Sequence, residues 1–255
     1  MNLFYRQYGE AGEPLIILHG LFGNQANWAW HARQFADTYR VYVPDARNHG
    51  RSPWSEEISY RLMAEDVLAF MDAQKMSQAH VIGHSMGGKT ALQMAFLAPA
   101  RVTKLVVVDI APVAYPEVDF AALSGLLNID LASLRSRLDA DEMLAGHIRE
   151  KAVRDFLLTN LQRDDKGRYQ WRLNLAVLAQ EFPALRDRPE PVHAYQGDIL
   201  FIKGANSNYI LPQHRDEILA LLPQAEIKVI DNAGHWLHSE KPQVFIKIVR
   251  DFLAR

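Results

Sequence analysis

The sequence predicts an α/β protein with a doubly wound, mostly parallel sheet and one helical insertion. Short apolar runs alternate with longer stretches of helical periodicity. Most of these runs lack polar alternation, which is typical of parallel strands buried on both faces. The alternation then stops for one long, wholly helical segment before it resumes. Together these observations favour a layered sheet with helices on both faces and a second unit inserted into it.

The predicted strands and helices follow one another along the chain at regular intervals. The apolar runs that predict strands span residues 15–18, 41–43, 81–82, 105–108, 199–202 and 227–230. Helical patterns cover residues 25–38, 60–74, 86–98, 212–222 and 240–253. Most runs end at a glycine or polar residue, among them His19, Asp45, Ser85 and Asp109. Ligands of open parallel sheets bind outside the carboxyl ends of the strands, so we expect these residues to line one functional edge.

The insertion lies between Ala111 and Pro191, where the leucine spacing is helical and no strand is predicted. Prolines stand close to both of its ends. We therefore expect a core domain formed by residues 1–111 and 191–255, and a helical cap formed by residues 112–190. The cap contains nine arginines. They are interpreted either as solvated helix faces or as a site for a carboxylate or phosphate of the substrate.

Composition excludes several classes of function. The chain has 255 residues and a formal net charge of -2, which gives no sign of a nucleic-acid partner. It contains no cysteine, so disulfides, thiolate zinc sites and a cysteine nucleophile are excluded. The first ten residues do not resemble a secretory signal, and no apolar stretch reaches the ~18 residues of a membrane span. These features predict a cytoplasmic protein without a membrane span.

A candidate nucleophile lies in the run Gly83-His84-Ser85-Met86-Gly87-Gly88. This run matches the nucleophile-elbow pattern G-x-S-x-G, in which a sharp strand-to-helix turn exposes the serine hydroxyl. The pattern alone is weak, because roughly one chain in ten of this length contains it by chance. Here it follows a predicted strand and precedes a predicted helix. That context makes Ser85 the expected nucleophile.

Two loops supply candidate donors for an oxyanion hole. The turn His19-Gly20-Leu21-Phe22-Gly23 follows the first buried strand, where enzymes with this elbow place one backbone N–H donor. We expect Leu21 to be that donor, with Phe22 as the alternative, and Met86 to supply the second. His19 itself is expected to be structural.

The candidate base is His235, one of ten histidines. A serine hydroxyl is a poor nucleophile until a base removes its proton. His235 lies between the last predicted strand and the last predicted helix, which places it at the same edge as Ser85. The order of a serine followed by a histidine near the C-terminus matches the order found with this elbow. The alternative base is His238, three residues further along the chain.

At this point the sequence resembles the α/β-hydrolase superfamily over nearly its whole length. The resemblance rests on residues 19–23, 45–52, 83–88 and 234–236, and on the stretch Val-Asp-Ile-Ala-Pro-Val at 108–113. It is closest to the YbfF-type esterases. The resemblance implies hydrolysis of carboxylic esters or acyl thioesters without a metal or organic cofactor. It also implies structural roles for Asp45 and Arg47.

The position of the triad acid departs from the commonest pattern of this superfamily. Most members carry the acid just after the penultimate strand, but here residues 204–209 contain no carboxylate. Asp198 precedes that strand, which puts it on the order of 16 Å from the functional edge. Asp109 directly follows the strand at 105–108 and emerges beside Ser85. We therefore predict Asp109 as the acid that orients His235; the alternative is that it only caps the following loop.

The predicted function is that of a serine hydrolase, an esterase or thioesterase, that forms an acyl-enzyme on a small-molecule substrate. One alternative uses the same triad for proton abstraction or carbon–carbon bond cleavage, and another is a ligand-binding pseudoenzyme. Epoxide hydrolase and dehalogenase chemistry is disfavoured, because both need an aspartate where Ser85 stands.

Overall fold

The computed structural model describes residues 1–116 and 120–255. Residues 117–119 of the predicted cap lie outside the described residues. The strands are β1 (Tyr5–Tyr8), β2 (Pro14–Leu18), β3 (Arg40–Pro44), β4 (Ala79–His84), β5 (Val102–Val108), β6 (Leu161–Arg163), β7 (Tyr169–Trp171), β8 (Asp198–Gly204) and β9 (Ala225–Ile230). The α-helices are α1 (Ala29–Phe35), α2 (Tyr60–Ala73), α3 (Met86–Leu97), α4 (Ala121–Leu127), α5 (Arg137–Ala145), α6 (Lys151–Leu158), α7 (Leu175–Gln180), α8 (Phe182–Arg186), α9 (Arg215–Leu221), α10 (Leu237–Glu240) and α11 (Pro242–Leu253).

Within the described ranges, seven strands form one sheet in the order β1-β3-β2-β4-β5-β8-β9. Only the pair of β1 with β3 is antiparallel. This confirms the predicted mostly parallel, doubly wound fold. β3 lies on one side of β2 and β4 lies on the other. The direction in which successive strands are added to the sheet therefore reverses between β3 and β4. A crevice opens at such a reversal, outside the carboxyl ends of the strands.

The central strands are buried on both faces, as their unbroken apolar runs predict. All six residues of β4 are buried. Val81 packs into a cluster with residues of α2 and α3, whereas the neighbouring Ile82 packs into a second cluster with residues of α1 and α11. The sheet is therefore enclosed between two helical layers, which hold its carboxyl edge in place.

The two edges of the sheet differ from what the sequence pattern predicts. β1 was not predicted, because its four residues include Arg6 and Gln7 and form no apolar run. β9 was predicted as a strand from the run at residues 227–230, and its apolar residues Ile227 and Val229 are 45% and 52% exposed. Burial requires a neighbour on each side and a covering layer, and β9 is the last strand in the order.

The segment between β5 and β8 contains helices α4 to α8 and a two-stranded antiparallel hairpin of β6 and β7. The expectation that this segment has no strand was wrong. Each strand of the hairpin has three residues, which is too short to show a period of two. Leucines of this segment form a third apolar cluster with Phe22 and Met86 of the carboxyl edge. The segment thus lies against that edge.

None of the helices in the described part of the chain is both long and apolar enough to cross a membrane.

Candidate active site

Ser85 stands in a sharp turn between β4 and α3. Its backbone has φ 54° and ψ -118°, a left-handed conformation that non-glycine residues rarely adopt. The turn is tight because the Gly88 N–H donates to the Ser85 carbonyl at 2.8 Å. A Cβ on Gly83 would lie 2.2 Å from the Gly87 carbonyl oxygen, and one on Gly87 would lie 2.3 Å from the Leu18 carbonyl oxygen. Both glycines are therefore required for the predicted elbow.

His235 and Asp109 meet at the carboxyl edge. His235 Nδ1 lies 2.8 Å from Asp109 Oδ2, and the aspartate is fully buried. Since an ionised carboxylate only accepts hydrogen bonds, Nδ1–H donates, and Nε2 is left free to accept a proton. The ring of His235 stacks on that of Tyr209, with 4.0 Å between their centroids. This arrangement fixes both the tautomer and the orientation of His235.

The loop after β8 holds the carboxylate of Asp109. The Gly204 N–H donates to Oδ1 at 3.0 Å, and the Ser207 hydroxyl donates to Oδ2. This loop is the position where most α/β-hydrolases carry the acid. Ser207 lies in the stretch 204–209, which contains no carboxylate, and its role as a partner of Asp109 was not predicted. Its spacing from Gly204 was the available signal. Asp198, the rejected alternative, is exposed at the start of β8.

His238, the alternative base, lies in a different environment. Its ring stacks on Trp28 at 4.4 Å, and its Nδ1 is buried without a hydrogen-bond partner among residues 1–116 and 120–255. Burial lowers the pKa of His238 well below its ordinary value. In the described ranges, it is His235 whose ring bonds to a carboxylate at this edge. The geometry therefore favours His235 over His238.

His84 connects the elbow to the loop that carries the base. Its Nε2–H donates to the main-chain carbonyl of His235 at 2.9 Å. Burial lowers the pKa of His84 well below its ordinary value, and the neighbouring His235 acts in the same direction. His84 is therefore neutral, and it fixes the backbone of the base relative to the serine.

The turn at residues 20–23 is closed by a hydrogen bond from the Gly23 N–H to the Gly20 carbonyl at 2.9 Å. Leu21 faces the cavity that Ser85 also lines. Met86 is the first residue of α3, so its N–H has no acceptor within the helix. Both predicted oxyanion donors thus lie beside the serine, and their role in catalysis stays a prediction.

Two side chains fix the backbone around this turn. His19 accepts a hydrogen bond from the Ala46 N–H on Nε2 at 2.9 Å and donates from Nδ1 to the Gly20 carbonyl. On the other side, Asn160 Nδ2 donates to the Phe22 carbonyl at 2.7 Å. Asn160 comes from the predicted cap and is fully buried. This role of Asn160 was not predicted, because Phe22 is 138 residues away in the chain and no local pattern indicates that the two residues meet.

Asp45 and Arg47 stabilise the loop after β3. The Asp45 carboxylate accepts hydrogen bonds from the backbone N–H groups of Gln25 and Arg51, at 2.6 and 2.8 Å. Arg47 forms a buried ion pair with Asp66 at 2.7 Å. These contacts fit the structural roles that the family resemblance implies for both residues.

A cavity of about 540 Å³ lies between the carboxyl edge and the segment that precedes β8. Ser85, His235, Leu21 and Met86 all contribute to its wall, and Asp109 lies behind His235. The other side of the cavity is mostly apolar, with Phe120, Ile148, Val153, Phe156, Leu157 and Phe182 among its residues. Across residues 1–116 and 120–255, no group of three or more His, Asp or Glu side chains is arranged to hold a metal ion.

The α/β-hydrolases are defined by a mostly parallel sheet of this kind, a serine at a strand-to-helix elbow and a histidine that follows the last strand. The family model described as the alpha/beta hydrolase fold matches residues 13–242. The chain belongs to this family.

Relatives with known names cover nearly all of the chain. It is 40% identical to the sn-1-specific diacylglycerol lipase ABHD11 of Mus musculus, over 96% of this chain and 83% of that protein. It is 37% identical to the esterase YbfF of Escherichia coli (strain K12), over 94% of this chain and 92% of that protein. Among solved structures, a marine microorganism esterase with 37% identity matches with a TM-score of 0.96 and 98% coverage of both chains. These findings confirm the expected resemblance to YbfF-type esterases.

Proposed function

We propose that this protein is a serine esterase that hydrolyses carboxylic esters through an acyl-enzyme on Ser85. The observation that carries the proposal is the 2.8 Å contact between His235 Nδ1 and the buried Asp109, in a cavity whose wall contains both Ser85 and His235. The named esterase and lipase relatives support the same class of reaction.

In the acylation half-reaction, Ser85 Oγ attacks the ester carbonyl carbon while His235 Nε2 takes the hydroxyl proton. The imidazolium that forms is stabilised by Asp109, which remains ionised. Backbone N–H groups of Leu21 and Met86 donate to the oxyanion. The bond from carbon to the alcohol oxygen then breaks, His235 returns the proton to that oxygen, and the acyl group stays on Ser85.

In the deacylation half-reaction, water replaces the alcohol. His235 takes a proton from the water as its oxygen attacks the acyl carbon, and the same two N–H groups stabilise the second oxyanion. When the intermediate collapses, His235 protonates Ser85 Oγ and the carboxylic acid leaves. The sequence of proton transfers needs one base in one tautomer, which the bond to Asp109 maintains.

We further propose that residues 112–190 act as a cap that shapes the substrate. Their apolar side chains form much of the cavity wall, and an apolar pocket favours an apolar acyl chain. Acyl thioesters present the same carbonyl carbon, so the proposal includes them as a second class of acyl donor.

The nucleophile is tested by labelling with a fluorophosphonate and measuring intact mass. We expect one adduct on the wild-type protein and on Ser133→Ala, and none on Ser85→Ala. Ser133 is a suitable control because its hydroxyl is exposed and bonded to the carbonyl of Asp130. An adduct that persists on Ser85→Ala would contradict the assignment.

The reaction is tested by initial rates with p-nitrophenyl esters and acyl-CoA thioesters of graded chain length. We expect hydrolysis that Ser85→Ala abolishes. If Ser85 is labelled but no ester or thioester is cleaved, the triad serves a different reaction, such as proton abstraction or carbon–carbon bond cleavage.

A further inference from the structure

Arg186, the last residue of α8, lies in the wall of the cavity. Its Nε is buried and has no hydrogen-bond partner within the described part of the chain. The guanidinium lies 5.8 Å from the centre of the Phe182 ring, a contact that leaves the in-plane N–H donors free. A buried donor without an acceptor is costly. The terminal Nη groups also form no hydrogen bond within the described part of the chain, and they are not buried, so they can donate to a ligand.

The backbone of Arg186 is held firmly although its side chain lacks a partner at Nε. Its carbonyl accepts hydrogen bonds from the Tyr115 N–H at 2.9 Å and from Lys89 Nζ at 3.1 Å. The backbone from which the guanidinium extends is therefore fixed at the cavity wall.

Lys89 is the other positively charged residue among the described residues of the cavity wall. Its ammonium group donates to the carbonyls of Val113, Arg186 and Asp187, at 2.9, 3.1 and 2.5 Å. An ammonium has three protons, so these three bonds use all of them. Arg186 is thus the cation that remains available to a ligand.

No aspartate or glutamate is among the described residues that line the cavity. Asp187 follows Arg186 in the chain, but its Oδ1 accepts a hydrogen bond from the Arg188 N–H at 2.7 Å. The described part of the wall therefore combines apolar side chains with Arg186, a cation for which it holds no carboxylate. The planar fork of N–H donors on the Arg186 guanidinium fits the two oxygens of a carboxylate.

We propose that Arg186 binds a carboxylate carried by the substrate, so that the enzyme prefers esters with a free carboxylate at the end of an apolar chain. This inference rests on the proposed esterase function. The carboxylate could belong to the acid part, as in a half-ester of a dicarboxylic acid, or to the alcohol part, as in an ester of a hydroxy acid. In both kinds of ester, the group that Arg186 recognises is a carboxylate.

Two pairs of substrates distinguish these sources. Monoethyl adipate is compared with ethyl hexanoate for the acid part, and 6-acetoxyhexanoate with hexyl acetate for the alcohol part. The measured quantity is the ratio of kcat/KM for the carboxylate to that for its neutral partner. We expect this ratio to exceed one for one of the two pairs in the wild-type enzyme. The effect should be mainly in KM, because the contact is remote from the reacting carbon.

Substitution of Arg186 tests the residue itself. We expect Arg186→Met to lower the ratio roughly 10- to 100-fold, the size expected for a hydrogen bond to a charged group. Arg186→Lys keeps the charge but loses the planar fork, so its ratio should be intermediate. The matched control is Arg188→Met, two residues away, where an exposed side chain contacts Glu217 at 3.6 Å. Its ratio should equal that of the wild type.

A second measurement needs no variant. Adipate and hexanoate are compared as inhibitors of p-nitrophenyl acetate hydrolysis by the wild-type enzyme, and we expect adipate to inhibit more strongly if the acid part carries the carboxylate. A wild-type ratio of one or less in both substrate pairs, or equal ratios in wild type and Arg186→Met, would overturn the inference. The proposed function would still stand after such a result, provided that the neutral esters are cleaved by the wild type and not by Ser85→Ala. If no ester is cleaved, the proposed function fails instead.

Discussion

The carboxyl edge of the sheet and the segment 112–190 meet at one cavity but are positioned in different ways. At the edge, Phe22, Ser85 and Asp109 all have a positive φ, at 61°, 54° and 52°. Each follows a buried strand, and the backbone bonds from Ser85 N–H to Val108 and from Asp109 N–H to Ile202 continue the sheet beyond the strand ends. Strained conformations persist only where the surrounding structure determines them strongly. The sheet therefore acts as the rigid support of the chemistry.

The segment 112–190 consists of short elements instead. The helices in its described part have at most nine residues, and such helices depend on tertiary packing for their stability. A few buried polar contacts fasten it to the core, above all those of Lys89 and Asn160. From this comparison we predict that the chemistry depends mainly on the edge and the choice of substrate mainly on the segment. Changes at the edge should affect turnover, and changes in the segment should affect selectivity and stability, except at Asn160, whose side chain reaches the turn at residues 20–23.

The largest expected effect comes from removing the base. We predict that His235→Gln lowers kcat by on the order of 10⁵- to 10⁶-fold, because members of a triad act as a unit. The comparison variant is His238→Gln, which removes a ring that stacks on Trp28 but bonds to no carboxylate. Steady-state rates on one p-nitrophenyl ester measure both. An active His235→Gln beside an inactive His238→Gln would reverse the assignment.

The orienting acid should have the next largest effect. Asp109→Asn is expected to lower kcat about 10⁴-fold, the loss known when the aspartate of a serine-protease triad is neutralised. Asp198→Asn, at the far end of β8, should be close to wild type. Circular dichroism serves to show that both variants are folded. If Asp198→Asn lost activity and Asp109→Asn kept it, the acid would have to be placed elsewhere.

Asn160 tests whether the cap segment helps to form the catalytic edge. Its amide holds the Phe22 carbonyl, and loss of one oxyanion donor typically costs 10²- to 10³-fold in kcat. Because Asn160 acts only through the position of that loop, we predict a smaller decrease, of about 10- to 100-fold, for Asn160→Ala. The decrease should be in kcat, with KM little changed. A change confined to KM would mean that Asn160 shapes the pocket but not the oxyanion hole.

The smallest effect concerns the contact of Lys89 with the cap segment. Burial lowers the pKa of Lys89 to about 7, although the nearby Asp187 acts in the opposite direction. The unfolded chain has the ordinary lysine pKa of ~10.4, so between these two values it binds more protons than the folded chain. The contribution of Lys89 to the free energy of unfolding therefore rises with pH above about 7, by at most roughly 1.4 kcal/mol per pH unit. At lower pH this contribution is constant.

Lys89→Met should remove this dependence. The free energy of unfolding of the wild type, minus that of Lys89→Met, is predicted to increase between about pH 7 and pH 9 and to stay level below about pH 6. Urea unfolding across this range measures it. A difference that stays level or falls above pH 7 would show that Lys89 keeps its proton in the folded protein.

Local sequence patterns were sufficient to predict the parts of the candidate site that depend on short stretches of backbone. The elbow around Ser85 could be predicted because a G-x-S-x-G turn has one geometry between a strand and a helix. The position of His235 follows from the end of the last strand. The predicted pairing of Asp109 and His235 agrees with their contact. β5 and β9 are separated by β8, but parallel strands of one sheet end at the same edge, where their following loops can meet.

Contacts between distant segments could not be predicted in this way. The bonds from Ser207 to Asp109 and from Asn160 to Phe22 join residues 98 and 138 positions apart. The exposure of Ile227 and Val229 depends on which strand lies at the edge of the sheet, and this is not written in their own pattern. The hairpin of β6 and β7 is held by pairing and not by a periodic apolar face.

The sequence by itself determined six of the seven strands of the main sheet, the elbow around Ser85 and the position of His235 after the last strand, because these depend on short-range backbone sterics and on the alternation of apolar runs. Only the tertiary structure decided which donors hold Asp109, that Asn160 holds the Phe22 carbonyl, and that Arg186 lies in the cavity wall with a buried Nε that has no hydrogen-bond partner among the described residues. The physical reason is that hydrogen bonds and burial between distant segments depend on how the whole chain packs. No local pattern encodes them.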